Sequence, residues 1–166
     1  NGEIIGFQGD AIVCPTDVNL TDKEANKWIC SILYKAGLDL TKELSAIGYA
    51  EIGNAVITKA YDLKVKYLIF LPISDQEDEK HKLNFILLHQ ALRSAFNLVT
   101  LYDLKTLAIP LFYLKTPKKD FFNDLIKSLF DGENKKGLTS KEIMNIIIAV
   151  YGEYKNTSIE TITIYR

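Results

Sequence analysis

The sequence contains few of the residues that mark specialised classes of protein. Its 166 residues include two cysteines, two histidines, one tryptophan and four prolines, and the formal net charge is −1. Cys14 and Cys30 stand at a spacing that matches no metal-binding motif, so we expect reduced thiols in a cytoplasmic protein. A net charge this close to zero disfavours a protein built around a general nucleic-acid-binding surface, while a local basic patch stays compatible with it.

Long apolar stretches are missing as well. No apolar run approaches the length of a membrane-spanning helix and no signal-peptide pattern is visible, so we expect no membrane association. The sequence has no internal repeat and no low-complexity linker. Hydrophobic residues make up 48% of the chain and charged residues 25%, a composition typical of globular proteins. We therefore expect a single domain, residues 1–166, with one substantial core.

The stretch from Asp10 to Asp17 combines an apolar start with a polar exit. Ala11 to Val13 is a short apolar run that predicts a buried strand. Pro15 lacks an N–H and has a fixed φ angle, so we expect sheet pairing to stop there. In open α/β sheets, ligands bind where strands end and helices begin. The loop from Cys14 to Lys23 is therefore the first candidate for a ligand site.

Apolar strands and amphipathic helices alternate along the rest of the chain. Strands are predicted at 10–14, 55–58, 66–71, 106–112 and 159–164, with Pro72 ending the third of them. Helices are predicted at 22–36, 39–46, 74–97 and 140–154, where apolar residues recur at helical spacing. Continuous apolar strands between helices are typical of a sheet covered on both faces. The pattern predicts an α/β fold, a three-layer α/β/α sandwich around a mixed, mostly parallel sheet.

An acidic stretch from Asp75 to Glu79 allows two interpretations. Clustered carboxylates can bind a divalent cation. Ser74 and Glu77 also have the spacing of a helix capping box, and acidic residues stabilise the positive end of a helix. The helical interpretation is favoured, and no metal ligand is predicted. Thr139 and Glu142 have the same spacing ahead of the last helix.

Six short blocks stand in a characteristic order along the chain. Gly2-Glu3-Ile4-Ile5 is followed by Asp10-Ala-Ile-Val-Cys-Pro-Thr-Asp17, and then come Gly53 to Leu63, Lys66 to Ile69-Phe70, Leu107-Ala-Ile-Pro-Leu-Phe112 and Ile159 to Tyr165. These blocks resemble the motifs of the macro domain family, whose fold binds ADP-ribose. The family motifs are Gly-Asp-Ile-Thr, Asp-Ala-Ile-Val-Asn-Ala-Ala-Asn, Gly-x-Ala-Val-Ile-Thr, Lys-Tyr-Val-Ile-His and Ile-Ala-Phe-Pro-Leu-Ile, with a closing strand. The resemblance covers nearly the whole chain and implies the macro fold.

The resemblance also implies where a nucleotide would bind. In the family, the Asp of the first motif accepts a hydrogen bond from the adenine amino group, and Glu3 stands at that position. Family asparagines contact the distal ribose, and one of them supports catalysis in hydrolytic members. Cys14 and Asp17 stand at those positions. A glycine-rich run that lets backbone N–H groups approach the ribose and phosphates is replaced by Lys23 to Trp28, which includes Asn26.

The second phosphate loop of the family is changed too. Residues 113–138 form an insertion where the family has Ser-Thr-Gly-Ile-x-Gly-x-Pro, and Gly132 and Gly137 are the glycines available within it. Apolar residues at helical spacing over 121–130 predict an amphipathic helix. An insertion of this length inside a compact domain is normally functional or has structure of its own. We expect it to pack over the strand ends near Asp17 and to narrow any pocket there.

The ligand-binding residues implied by these positions include no catalytic residue and no metal ligand. They are Glu3, Cys14, Asp17, Asn26, Tyr113, Gly137 and Thr139. Simpler roles compete for some of them. Glu3 is equally well explained as an exposed turn carboxylate, and Asp17 is favoured to cap the following turn through the backbone. Cys14 is favoured as a small buried residue over a nucleophile, and Trp28 as a core residue over a base-stacking one.

Three functional interpretations stay open. The first is a non-catalytic module that binds ADP-ribose or a related nucleotide and uses no cofactor. The second is a macro fold that has lost nucleotide binding and binds protein or nucleic acid through the 113–138 insertion. The third, an ADP-ribosyl hydrolase, is least favoured because both phosphate loops and the asparagines are missing. A thermal shift with ADP-ribose separates the first two, since a ligand of the folded state raises the melting temperature.

Overall fold

The computed structural model describes residues 3–20, 27–74, 85–111, 139–154 and 157–165. The predictions for the acidic stretch 75–79 and for the 113–138 insertion, including its helix at 121–130, lie outside these residues. Among the described residues, no helix combines the length and the apolar character needed to cross a membrane.

In the described part of the chain, five strands form one sheet, as the apolar runs predict. They are β1 (Gly9–Asp17), β2 (Val56–Lys59), β3 (Val65–Ser74), β4 (Thr106–Pro110) and β5 (Thr161–Tyr165), in the order β2-β3-β1-β4-β5. Only β2 is antiparallel to its neighbour. The β1–β4 register pairs Ile12 with Ala108, so Cys14 and Pro110 lie level with each other toward the carboxyl edge. The sheet is mixed and mostly parallel, which confirms the predicted fold class.

Among the residues that the structure describes, four helices cover both faces of this sheet. They are α1 (Lys27–Ala36), α2 (Leu38–Ile47), α3 (Phe85–Leu101) and α4 (Ser140–Glu153), and a single 3-10 turn, Ile4–Gly6, precedes β1. Successive strand residues point to opposite faces, so Ala11 and Val13 pack with α3 and α4, and Ile12 and Cys14 pack with α1 and α2. Trp28 is buried in the α1–α2 layer, which confirms its predicted place in the core.

The prediction that two prolines end their strands is wrong. Pro15 pairs with Leu71 inside β1, and Pro72 pairs with Thr16 inside β3. A proline removes a ladder hydrogen bond only where its missing N–H would face a neighbouring strand. The pairing of β1 with β4 stops at Ile12 and that of β3 with β2 stops at Phe70. Within the described ranges, both prolines therefore lie where the ladder pairs the strand on one side, and β1 and β3 extend together past their pairing with β4 and β2.

Asp10 connects three strands at the opposite, amino edge. Its Oδ2 accepts hydrogen bonds from the backbone N–H groups of Lys105 and Thr106, at 2.9 and 3.0 Å. Its Oδ1 lies 2.6 Å from the Lys66 ammonium group, and its own N–H donates to the Thr106 hydroxyl. One buried carboxylate thus ties β1 to β3 and β4 and leaves the carboxyl edge for other roles.

Candidate functional site

Strand β1 ends at Asp17, at the carboxyl edge of the sheet, and Asp17 is buried. The register between β1 and β3 shifts between Thr16 and Asp17. The Asp17 carboxylate accepts a hydrogen bond from the backbone N–H of Asn19 at 2.9 Å. This is the turn-capping arrangement of aspartate in loops, which the sequence predicted as the favoured role of Asp17. The carboxylate is therefore held against its own loop at the edge where ligands of α/β sheets bind.

Cys14 lies in the same strand, but its side chain has no exposed surface. The thiol packs in the α1–α2 layer and lies 3.7 Å from the Ile12 carbonyl oxygen. Burial raises the pKa of the thiol well above its ordinary value, because a thiolate loses its hydration there. Cys14 acts as a small core residue, as the sequence favoured, and its thiol cannot contact a ligand in this arrangement.

Thr139 caps the amino terminus of α4. Its hydroxyl accepts a hydrogen bond from the Glu142 N–H at 3.2 Å, and its own N–H donates to Glu142 Oε2 at 2.6 Å. The predicted capping box is confirmed. The Thr139 hydroxyl already bonds to the backbone, which reduces what it can offer to a ligand. Three other predicted ligand-binding residues, Asn26, Tyr113 and Gly137, lie outside the described residues.

Glu3 lies in a separate cleft of about 480 Å³ on the side of the N-terminal turn. The residue is exposed and makes no side-chain capping bond to the 3-10 turn that follows it. The apolar residues Ile5 and Leu63 and the aromatic residue Tyr165 also line the cleft. The Tyr165 ring packs edge-on against Phe7, with centroids 6.3 Å apart. The cleft therefore joins a carboxylate to apolar and aromatic surface.

Charged groups from two further elements line the same cleft. Lys35 comes from the last turn of α1, and Asp62 and Lys64 come from the connection between β2 and β3. Sequence reasoning missed these residues. Lys35 and Lys64 belong to none of the family-like blocks, Asp62 stands in the Gly53 to Leu63 block without an assigned ligand role, and all three are far from Glu3 along the chain. Neither Asp17 nor Thr139 is among the lining residues. The predicted ligand-binding residues that the structure describes therefore fall in more than one place.

A second cleft, of about 500 Å³, runs along α3 beside the loop that precedes β2. Several of its polar groups bond to α4 or its end: Arg93 Nε lies 3.0 Å from the Glu153 carboxylate, and Asn97 Oδ1 accepts a hydrogen bond from the Tyr154 hydroxyl. These contacts join α3 to α4. Among the residues that the structure describes, no group of three histidine, cysteine, aspartate or glutamate side chains could hold a metal ion.

Comparison with protein families finds a match to this chain. The model described as Macro domain matches residues 29–116, more than half of the 166 residues. The match begins after the two blocks that contain Glu3 and Asp17. No curated protein is significantly similar to this chain in sequence.

Solved structures with the same fold agree with that match. The macro domain of ganglioside induced differentiation associated protein 2 aligns with a TM-score of 0.62 at 19% identity, covering 95% of this chain and 69% of that one. The Oceanobacillus iheyensis macrodomain, a variant solved with ADPR, gives a TM-score of 0.67 at 17% identity over 99% of this chain and 81% of that one. The Trypanosoma brucei macrodomain gives 0.68 at 15% identity over 99% of this chain, which spans 58% of that chain.

Proposed function

This chain belongs to the macro domain family, and on that premise we propose that it is a non-catalytic module that binds ADP-ribose or a related adenine nucleotide in the Glu3 cleft. Two structural relatives were solved with such ligands: the Oceanobacillus iheyensis macrodomain with ADPR and with ADP, and the Trypanosoma brucei macrodomain with ADP.

The observation that carries the proposal is the position of Glu3. Glu3 is exposed, and it lines a cleft that Ile5, Leu63 and Tyr165 also line. A carboxylate accepts hydrogen bonds from an exocyclic amino group, and a flat base needs apolar or aromatic surface beside that acceptor. The presence of a carboxylate residue and of apolar and aromatic residues around one cleft of about 480 Å³ supports the proposal of an adenine site there.

The non-catalytic part of the proposal rests on Cys14 and Asp17, near the carboxyl end of β1. A cysteine nucleophile needs an accessible thiolate, whereas Cys14 is buried with a raised pKa. Asp17 is buried and accepts the Asn19 N–H, which orients its carboxylate toward its own loop.

A thermal-shift series with ADP-ribose, ADP, AMP and adenosine tests binding. A ligand at one hundred times its Kd stabilises the folded state by about 2.7 kcal/mol. For a domain of this size we expect the melting temperature to rise by roughly 5 °C or more. Guanosine and cytidine nucleotides serve as probes of base selectivity.

Glu3→Ala, Glu3→Gln and the control Glu51→Ala then locate the site. Glu51 is also an exposed carboxylate, but it bonds to Asn54 and does not line the cleft. We expect Glu3→Ala to weaken adenine-nucleotide binding roughly tenfold, since a hydrogen bond to a charged group is worth about 1.5 kcal/mol or more. Glu3→Gln retains an acceptor and should lose less, and Glu51→Ala should bind as the parent does. Equal affinities for all variants would place the ligand elsewhere, and the absence of any shift would favour the alternative, protein or nucleic-acid binding through residues 113–138.

A further inference from the structure

Two lysines meet at the Glu3 cleft from different parts of the chain. Lys35 ends α1 and Lys64 immediately precedes β3. Both are exposed. Lys42, Lys66 and Lys105 each pair with a carboxylate, but Lys35 and Lys64 form no ion pair with any residue that the structure describes. The cleft is thus lined by two lysines that have no counter-ion among the described residues.

The carboxylates of the cleft do not neutralise these lysines directly. Asp62 is turned toward the α1–α2 junction: its Oδ2 lies 2.7 Å from the position that a Cβ at Gly37 would occupy. Its backbone N–H also donates to the Ala36 carbonyl. Glu3 forms no salt bridge with a described lysine. An anion that enters the cleft would therefore meet two lysines that form no ion pair with a described carboxylate.

We propose that Lys35 and Lys64 bind the phosphate groups of the nucleotide whose base contacts Glu3, an inference that rests on the proposed function. The ligand class is an adenine nucleotide with at least one phosphate. Lysine ammonium groups bind phosphate as point charges through flexible side chains. Such contacts are screened by salt. The hydrogen bond between the adenine base and the Glu3 carboxylate, and the packing of the base on apolar surface, depend less on the salt concentration.

The alternative is a purely structural role. Lys35 stands in the last turn of α1, where a cation stabilises the negative end of a helix, and Lys64 could simply be a solvated turn residue. If the lysines have a structural role, their substitution should change the affinity for every ligand of the cleft to the same extent. A phosphate-binding role affects only ligands that carry phosphate, so the two roles can be separated.

The test compares adenosine, AMP and ADP as probes on Lys35→Gln, Lys64→Gln, the double variant and the control Lys59→Gln. Lys59 is an exposed lysine of β2 that does not line the cleft, so it removes the same charge elsewhere. We expect each cleft variant to raise the Kd for ADP roughly fivefold at low salt and the double variant to raise it more. The Kd for adenosine and all Kd values of Lys59→Gln should stay unchanged. The ADP affinity of the parent should fall as salt rises from 50 to 300 mM, and the double variant should lose most of that dependence.

Two results would overturn the inference. If the lysine substitutions raise the Kd values of adenosine and ADP by the same factor, the lysines support the cleft and do not bind phosphate. The second result is that the lysine substitutions leave the Kd for ADP unchanged while Glu3→Ala still raises the Kd for adenosine. The base then binds as proposed, but the phosphates lie elsewhere. A parent protein that binds none of the three probes overturns both proposals. Circular dichroism of each variant confirms that the fold is intact.

Discussion

Asp10 and Lys66 lie on neighbouring parallel strands, with the Lys66 ammonium group 2.6 Å from the Asp10 Oδ1 atom. Burial by itself would raise the pKa of Asp10, but the hydrogen bond from Lys66 and the N–H groups of Lys105 and Thr106 outweigh it and lower the pKa to about 2. The ionised form is therefore favoured in the folded protein. Because that pKa lies below the ordinary value of 3.8, the stabilisation is present above about pH 4 and is lost as the pH falls toward 2.

Asp10→Asn should accordingly lower the free energy of unfolding by about 2 kcal/mol at pH 7. The difference from the parent should shrink between about pH 4 and pH 2. Urea unfolding across this range measures both effects. Asp39→Asn is the control, because Asp39 forms an exposed ion pair with Lys42 and such pairs contribute little. Equal effects of the two substitutions would show that the Asp10 network does not hold the strands together.

Cys14 should resist thiol reagents while the protein is folded. Its side chain is fully buried with a raised pKa, whereas Cys30 is partly exposed. With iodoacetamide at pH 8 we expect Cys14 to react at least about 100-fold more slowly than Cys30, since labelling requires local or global opening. Peptide mass spectrometry assigns the site. In 8 M urea both thiols should react at similar rates, and similar rates under native conditions would refute the assigned burial.

Thr139→Ala should destabilise α4 by about 1 kcal/mol, which is the usual loss on removing a helix cap. Thr139→Ser keeps the hydroxyl and should retain most of the stability. The backbone N–H and then the side chain of Thr139 lower the pKa of Glu142. That contribution is present above the ordinary pKa of glutamate and is lost in acid. The same variants check the separate prediction that Thr139 binds ligand, because a change in nucleotide Kd at unchanged fold would place it in the site.

The chain should not release ADP-ribose from mono-ADP-ribosylated protein. Preorganised donors that stabilise developing charge are a main source of catalysis, and the glycine-rich loops that provide them in the family are replaced in this sequence. Release can be followed by loss of label from the modified protein, with heat-inactivated chain as the blank. Turnover that Asp17→Ala abolishes and Asp39→Ala leaves intact would contradict this prediction.

Most of the fold could be predicted because its signals are local. The apolar run at 66–71 and the helical spacing over 140–154 each reveal one element, and they match β3 and α4 closely. The strand ends could not be predicted. Whether a proline interrupts a strand depends on whether its missing N–H faces a neighbouring strand. For Pro15 the second neighbour of β1 is β4, about ninety residues away in the chain, and its described pairing with β1 stops at Ile12.

The site divides along the same line. By itself the sequence determined the layers of the sandwich, the capping role of Thr139 and the buried state of Cys14, because each follows from residues close together in the chain. It also indicated the family, through the order of short blocks that are each local. Only the tertiary structure decided that Glu3 shares a cleft with Lys35, Lys64 and Tyr165 and not with Asp17. Charges and rings from four separate segments become neighbours only when the sheet and α1 are assembled, and no spacing rule within one segment contains that information.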